Sequence, residues 1–541
     1  MFPRMSALSG HLIRMAALSL AVLLAVSACS GAGSSRRASG SGSGAHLPKA
    51  PPPQPPPQLT KKKLDAALAK LDGVVHNVMR RTGVPGISVA VVYRDKVVYL
   101  KGFGVRQVGK PAKVGPDSVF QLASVSKPLA STVVAGVVGQ KVVSWDDPVA
   151  KYDRGFRLKD RWVSKHVTLA DLFSHRSGLP DHAGDLLEDL GYGRRYVLGH
   201  LRYEPLAPFR ASYAYTNFGL TEAAVAVAEA KHMSWAKLSD DVLYRPLGMT
   251  STSSRFADYQ SASNKAVGHV EINGTWRAKY TRDPEAQSPA GGASSTARDM
   301  AQWLRLQLAD GKLGGRRIIP AAGLEETHLP QIMSNPPRAP AGRADFYGLG
   351  WNVSYDNQGR LRLSHSGAFE LGAATNVTLL PSEQLGIVVL TNAAPVGAPE
   401  TIANDFFDIA QSGHPSVDWL GLFAHVFAVM EQSQKSKIVA SKPPAHATPA
   451  RPNRAYVGTY SNKFYGPLRV RVIRGKLAMQ LGPRHMIFDL QHYDGNVFSY
   501  QTRGENAVGP SGVTFSVAAG RATKLTVENL DETGLGTFTR R

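Results

Sequence analysis

Between Ser118 and Val138 the chain changes character within a few residues. An extended run, Ser118-Val119-Phe120-Gln121-Leu122, gives way to Pro128–Val138, a Pro-opened stretch rich in Ala and Val. The spacing predicts a strand handing over to a buried helix, and Ser124-Val125-Ser126-Lys127 occupies the junction. A serine at a helix N-terminus faces unpaired backbone N–H groups and the positive end of the helix dipole. A lysine three positions on lies on the same face, with Cβ atoms ~5–6 Å apart. An amine beside a hydroxyl is what an activated serine nucleophile requires. The pattern also fits a capping serine followed by a solvated lysine. It recurs at Ser234–Lys237, where Trp235 and Leu238 point to an ordinary amphipathic helix.

Partners elsewhere in the chain tip the balance. Tyr215-Thr216-Asn217 closes a polar loop, Ser212–Asn217, ahead of the apolar helix-like stretch Phe218–Ala228. His365-Ser366-Gly367 lies between two strand-like runs, Arg360–Ser364 and Ala373–Leu380. Each triplet has decoys: Tyr-x-Asn recurs at Tyr355–Asn357 and Tyr460–Asn462, and His-x-Gly at His182–Gly184. Tyr215 could equally be a core tyrosine and His365 a turn histidine; order, spacing and flanking sequence together carry the information.

Taken together, these blocks resemble the serine hydrolases related to class C β-lactamases, penicillin-binding DD-peptidases and family VIII esterases. The resemblance covers roughly residues 65–430 and extends past the triplets. Val84–Val92 is similar to the family's opening strand, and Trp145-Asp146-Asp147-Pro148-Val149 to the segment after the nucleophile helix. Thr168–Pro180 resembles its "LLTHTSGLP" stretch. Pro246–Met249, Gly291–Thr296 and Tyr347–Trp351 follow in the family's order.

The resemblance implies a role for each residue. Ser124 would attack a carbonyl and carry the acyl group, and Lys127 would take or relay its proton. Tyr215 would protonate the leaving group, or be the base itself if ionised. Asn217 would hold Lys127 and the substrate amide. The strand starting at His365, with Ser366, Gly367 and Ala368, would line the cleft, and the N–H groups of Ser124 and Ala368 would form an oxyanion hole. His175 is read as a scaffold residue fixing a loop. The β-lactamases proper carry lysine, a permanent cation, where this chain has His365, and a histidine of ordinary pKa ~6.5 is mostly neutral at pH 7. Family members with histidine here resemble esterases or D-amino-acid peptidases more than efficient β-lactamases, so the resemblance implies esters or D-amino-acid peptides ahead of penicillins.

The implied fold is α+β: an antiparallel sheet flanked by helices with an all-helical subdomain, plus a small all-β barrel-like domain. Residues 1–28 read as a lipoprotein signal peptide: Arg4 and Arg14 precede the apolar run Met15–Ala28, too short to span a bilayer. Val26-Ser27-Ala28-Cys29 resembles a lipobox, and Cys29 is the only cysteine. No disulfide within the chain can form, so stability rests on the core. Residues 29–60 read as a Gly/Ser- and Pro-rich tether, 61–434 as the hydrolase domain and 435–452 as a Pro-interrupted linker. Residues 453–541 read as an antiparallel β domain, with a hairpin of Leu468–Val472 and Leu477–Leu481 about Arg474-Gly475. Tyr456–Tyr460 resembles the opening of a barrel-like module often fused to this family.

The net charge of +22 raises nucleic acid as a partner, but the basic residues are dispersed and no recognition motif accompanies them. Anionic lipid or cell-wall polymer fits an exported protein better. There is no G-x-S-x-G elbow, H-E-x-x-H, phosphate loop or dinucleotide fingerprint. The expectation is a membrane-anchored, periplasm-facing serine hydrolase with no cofactor or metal, acting on a small-molecule or peptide substrate. The alternatives are a true β-lactamase or DD-carboxypeptidase and, from another class, a catalytically inactive cell-wall-binding lipoprotein.

Overall fold

The computed structural model describes residues 54–440 and 442–541. The signal-peptide and lipobox expectations, Cys29 included, and most of the tether lie outside the described residues. Among the described residues no helix is long and apolar enough to cross a membrane.

The core of the structure is an eight-stranded antiparallel sheet. Its strands, numbered in chain order, are β1 (Gly86–Tyr93), β2 (Lys96–Gly104), β3 (Ile332–Asn335), β4 (Asp345–Tyr347), β5 (Asn352–Tyr355), β6 (Leu361–Phe369), β7 (Ala373–Leu380) and β8 (Leu385–Thr391). They lie in the order β2-β1-β8-β7-β6-β5-β4-β3. Between β2 and β3 the chain leaves the sheet to build a mostly helical subdomain. The longer helices are α1 (Lys61–Thr82), α2 (Ser126–Gly139), α3 (Asn217–Ala230), α4 (Ala297–Leu308), α5 (Ala398–Ser412) and α6 (Trp419–Gln434).

The apolar run in β1 follows from its position. Ile87, Val89 and Val91 pack with Leu71, Val75, Ile402 and Phe406 of α1 and α5 on one face. Ala90 and Val92 belong to the core shared with α2 and α4 on the other. A strand covered on both faces loses the usual polar alternation, and each buried Val or Ile contributes about 1.5–3 kcal/mol. α2 is central to the same degree: every residue from Ser126 to Val137 is buried. α1 starts on Thr60, whose side chain accepts from the Lys63 N–H, and stops at Gly83 in the left-handed region with φ 68°.

The C-terminal unit is a nine-stranded antiparallel sheet. Its two edge strands, Met486–Asp489 and Gln491–Asp494, are consecutive in the chain, so the sheet curls into a nearly closed barrel. The expected hairpin is present as Gly466–Ile473 paired with Lys476–Leu481. Arg474 and Gly475 both have positive φ, as a two-residue hairpin turn requires. The barrel docks on the helical subdomain. The Asp189 carboxylate accepts from the Glu505 N–H, the Asn506 N–H and Asn506 Nδ2 at 2.9, 2.8 and 2.9 Å. Tyr192 donates to the Tyr465 carbonyl at 2.8 Å.

Candidate active site

Phe120–Gln121 forms a two-residue strand with Ser294–Ser295, shorter than the extended run Ser118–Leu122 suggested. The chain then turns sharply: Ala123 has φ 47°, an uncommon conformation for a residue with a Cβ. Ser124 sits in the single 3₁₀ turn Ala123–Val125, and α2 begins only at Ser126. The turn is pinned from the Gly291–Ser295 side, where the Ala293 N–H donates to Ser126 Oγ at 2.9 Å and the Leu122 N–H to the Ala293 carbonyl at 2.9 Å.

Lys127, in the first turn of α2, is fully buried. Its Nζ lies 3.0 Å from Ser124 Oγ, 2.7 Å from Asn217 Oδ1 and 3.0 Å from the Ala290 carbonyl. Burial pushes the ammonium down to about 7, with the Asp185 carboxylate pulling the other way. The partner set fixes what deprotonation leaves behind. Carbonyl oxygens only accept, so Asn217 and Ala290 hold the two remaining N–H bonds. The lone pair of the neutral amine then faces the Ser124 hydroxyl.

Tyr215 approaches the same serine. Burial drives its hydroxyl well above the usual tyrosine range, offset in part by a hydrogen bond to Ser124. Lys127 Nζ stands 4.4 Å from the Tyr215 ring centroid. The phenol is held by its surroundings. The His175 ring packs 4.6 Å from that of Tyr215, and His175 Nδ1 accepts the Thr216 N–H at 3.2 Å. His175 adopts φ 59°, is buried, and is pushed well below the usual histidine range by that burial. It therefore braces the Tyr215 loop as a neutral ring.

Asn217 opens α3 with both ends of its amide engaged, Oδ1 on Lys127 and Nδ2 on Asp185 Oδ2 at 2.7 Å. His365, Ser366, Gly367 and Ala368 lie inside β6, so the strand expected to start at His365 begins earlier, at Leu361, and is continuous with the run before it. Pairing of β6 with β7 runs through Leu363–Phe369, whereas pairing with β5 stops at Ser364. One edge of His365–Phe369 is thus free of strand partners. Gly367 explains the close approach: a Cβ there would collide with the Leu122 carbonyl and Thr375 Oγ1 and lie 3.0 Å from the Ser124 nitrogen. Ala368, next along, is exposed.

The side chains of the triplet point to other tasks. His365 Nδ1 is 2.7 Å from the Ser366 carbonyl, which can only accept, so Nδ1 carries the proton and Nε2 accepts from Tyr347 Oη at 2.9 Å. Burial and, behind it, Lys127 push His365 down to about 3. The ring is neutral and spoken for on both nitrogens. Ser366 Oγ accepts from Asn376 Nδ2 at 3.1 Å, across the strand pair.

The second Ser-x-x-Lys is a cap. Ser234 accepts the Lys237 N–H at 3.3 Å, and Lys237 Nζ pairs with Asp241 at 2.6 Å on the surface. Three further residues of the candidate site carry no assigned role in the sequence. Tyr347 lies in the Tyr-Gly-Leu-Gly-Trp block, which carried no assigned role. Ala290 acts through its carbonyl and has no side-chain signature. Nothing local marks Asp185. Among the described residues, no group of three or more His, Cys, Asp or Glu is placed to hold a metal ion.

A Gly367→Ala variant is expected to be nearly inactive even where it folds, because the strand must back away from the serine. Overpacking of this kind costs about 1–3 kcal/mol, read as a lowered melting temperature together with lost turnover.

The chain belongs to the beta-lactamase family, a family of serine hydrolases. The model described as "Beta-lactamase" matches residues 71–409, and one described as "Domain of unknown function (DUF3471)" matches 442–536. Among individual proteins, the chain is similar to an unguisins hydrolase of Aspergillus campestris, 27% identical over 420 residues that cover 73% of this chain and 75% of the relative. Two solved structures share the fold. The octameric penicillin-binding protein homologue from Pyrococcus abyssi has a TM-score of 0.56 at 18% identity, covering 85% of this chain and 98% of that one. The class C beta lactamase from Rhodobacter sphaeroides has a TM-score of 0.51 at 22% identity, covering 63% and 97%.

Proposed function

We propose that the protein is an exported serine hydrolase that works through an acyl-enzyme on Ser124. The observation carrying this reading is the buried Lys127 amine, whose only position not held by a carbonyl faces Ser124 Oγ at 3.0 Å. Neutral Lys127 removes the hydroxyl proton as Ser124 Oγ bonds to the substrate carbonyl carbon. The oxyanion that forms is received by the N–H groups of Ser124 and Ala368, donors worth ~2.7–4 kcal/mol each when aimed at developing charge. As the tetrahedral intermediate collapses, the bond to the leaving oxygen or nitrogen breaks. Tyr215 protonates that atom and regains its proton from the Lys127 ammonium. Water then repeats the sequence on the ester, and Ser124 is restored. The raised Tyr215 hydroxyl suits a donor and not a resting base, which leaves the base role to Lys127.

The substrates we favour are esters and amides resembling D-amino-acid peptides. A hydrolase and a penicillin-binding protein homologue among the similar proteins support that class. A neutral His365 bound to Tyr347 offers no permanent cation for the carboxylate of a β-lactam. A panel of p-nitrophenyl esters, D-amino-acid amides, D-Ala-D-Ala peptides and nitrocefin tests the reading. Turnover of esters or D-amino-acid amides above nitrocefin is expected. Nitrocefin as the best substrate would make the protein a true β-lactamase, and D-Ala-D-Ala peptides a DD-carboxypeptidase. Silence across the panel, with Ser124 unreactive, would leave a cell-wall-binding lipoprotein.

The N-terminal sequence supports placement in the bacterial cell envelope, lipid-anchored at Cys29 and facing the periplasm or exterior. The charge of +22 favours anionic lipid and cell-wall polymer as surroundings. Replacing Cys29 by Ala is expected to move the protein from the membrane to the soluble fraction on cell fractionation; unchanged membrane association would contradict the anchor.

A further inference from the structure

Behind Lys127 and Asn217 lies a second layer of charge that the reaction above does not use. The five-residue helix Asp185–Asp189 presents Asp185 to the site, its side chain 4% exposed. Oδ2 accepts from Asn217 Nδ2 at 2.7 Å and from His182 Nδ1 at 2.8 Å. Oδ1 is buried and accepts no hydrogen bond among the described residues. His182, in the loop before this helix, is only one-third exposed and also stands 3.9 Å from Asp181.

We propose that Asp185 is a positioning residue for the base. Its carboxylate locks the Asn217 amide with Oδ1 toward Lys127, and its negative charge, opposed by His182, sets the pH at which Lys127 becomes a neutral amine. The inference rests on the reading of Lys127 as the base of Ser124.

The lock follows from donor chemistry. A carboxylate can only accept, so the atom of Asn217 facing Asp185 must be the NH₂, and the carbonyl oxygen is turned to the Lys127 amine. With an uncharged neighbour able to donate, the amide could flip and present N–H to Lys127, which would eject the ammonium or misdirect its lone pair. The charge effect follows from burial and from the single Asn217 amide that separates the two groups. An opposite charge near a buried amine favours its protonated form, and a like charge disfavours it. Burial pulls Lys127 down and Asp185 pulls it back up, so the resting value of about 7 is a balance between them. His182 enters with the other sign. Burial opposes its charge, but Asp181 and Asp185 outweigh burial and hold it up to about 9, so it is a cation at neutral pH. Among the described residues, the other groups facing this cluster include the neutral rings of His175 and His365, the phenols of Tyr213, Tyr215 and Tyr347, and Glu532, which acts on Asp181. Glu188 and Glu204, both shifted upward chiefly by burial, also feel Asp185.

The test is the pH dependence of Ser124 phosphonylation by a fluorophosphonate, followed on the full chain between pH 5 and 9. Wild type is expected to react with a midpoint near pH 7. In Asp185→Asn, the size and one acceptor are kept and the charge is lost, so the midpoint should fall by about one unit. In His182→Gln, a repelling cation is removed while Asp185 stays, so the midpoint should rise. Asp185→Asn and Asp185→Ala should also lower the plateau rate, because Asn217 loses the carboxylate that fixes its amide orientation. Damage to packing alone would slow both variants without moving their midpoints in opposite directions. Midpoints of both variants equal to wild type would overturn the proposal, and His182→Gln decides it if Asp185→Asn does not fold. A wild-type protein unreactive at every pH would sink the underlying assignment of Ser124 and Lys127, and this inference with it.

Discussion

A Ser124→Ala variant is expected to fold normally and to lose turnover down to background, a fall on the order of 10⁶-fold when a serine nucleophile is removed. Its neighbours cannot replace it. Ser126 Oγ is held by the Ala293 N–H on the far side of the turn, and Ser131 is fully buried inside α2. The fold should survive because the turn is fixed by backbone bonds to Ala293 and by the burial of Leu122, Ala123 and Val125, none of which depends on the hydroxyl. Losing one hydrogen bond of this kind costs about 0.5–1.5 kcal/mol. A melting temperature within a few degrees of wild type, with turnover abolished, is the predicted pair of results. Residual turnover within tenfold of wild type would exclude Ser124 as the nucleophile.

Lys127→Ala is expected to cost about 10²–10⁴-fold in turnover, the usual contribution of a positioned acid–base group. It also leaves Asn217 Oδ1 and the Ala290 carbonyl without the donor they now share. Wild-type turnover should carry the signature of that amine. Below about pH 7 Lys127 is protonated and cannot accept a proton, so the rate should fall tenfold per unit of pH; above about pH 7 it should level off. Tyr215, raised well above its ordinary range by burial, should add no basic limb below pH 9. Steady-state kinetics from pH 5 to 9 read both features. A flat profile across pH 7, or a rate still rising tenfold per unit at pH 9 toward the ordinary lysine value of ~10.4, would remove Lys127 from the base role.

The parts of the fold visible in the sequence were those with a one-dimensional signature. Strand β1 shows as Val84–Val92, α2 as Pro128–Val138 and the barrel hairpin as two alternating runs about Arg474-Gly475, because each is built from neighbours in the chain. The His365 triplet was harder. The requirement for glycine at Gly367 within β6 comes from the Leu122 carbonyl, which a Cβ there would strike, a contact between residues far apart in sequence. His365 was expected to face substrate on the strength of its place in the motif. Its tie to Tyr347 is a cross-strand event that no local pattern records. Backbone groups such as the Ala290 carbonyl leave no trace in a sequence, and Asp185 becomes meaningful only once α3 brings Asn217 to it.

The most direct measurement is peptide mapping by mass spectrometry after reaction with a fluorophosphonate or a fluorescent penicillin. A single adduct on the peptide containing Ser124, absent from Ser124→Ala and suppressed in Lys127→Ala, is the predicted result. An adduct on any other residue, or equal modification of wild type and Ser124→Ala, would contradict it.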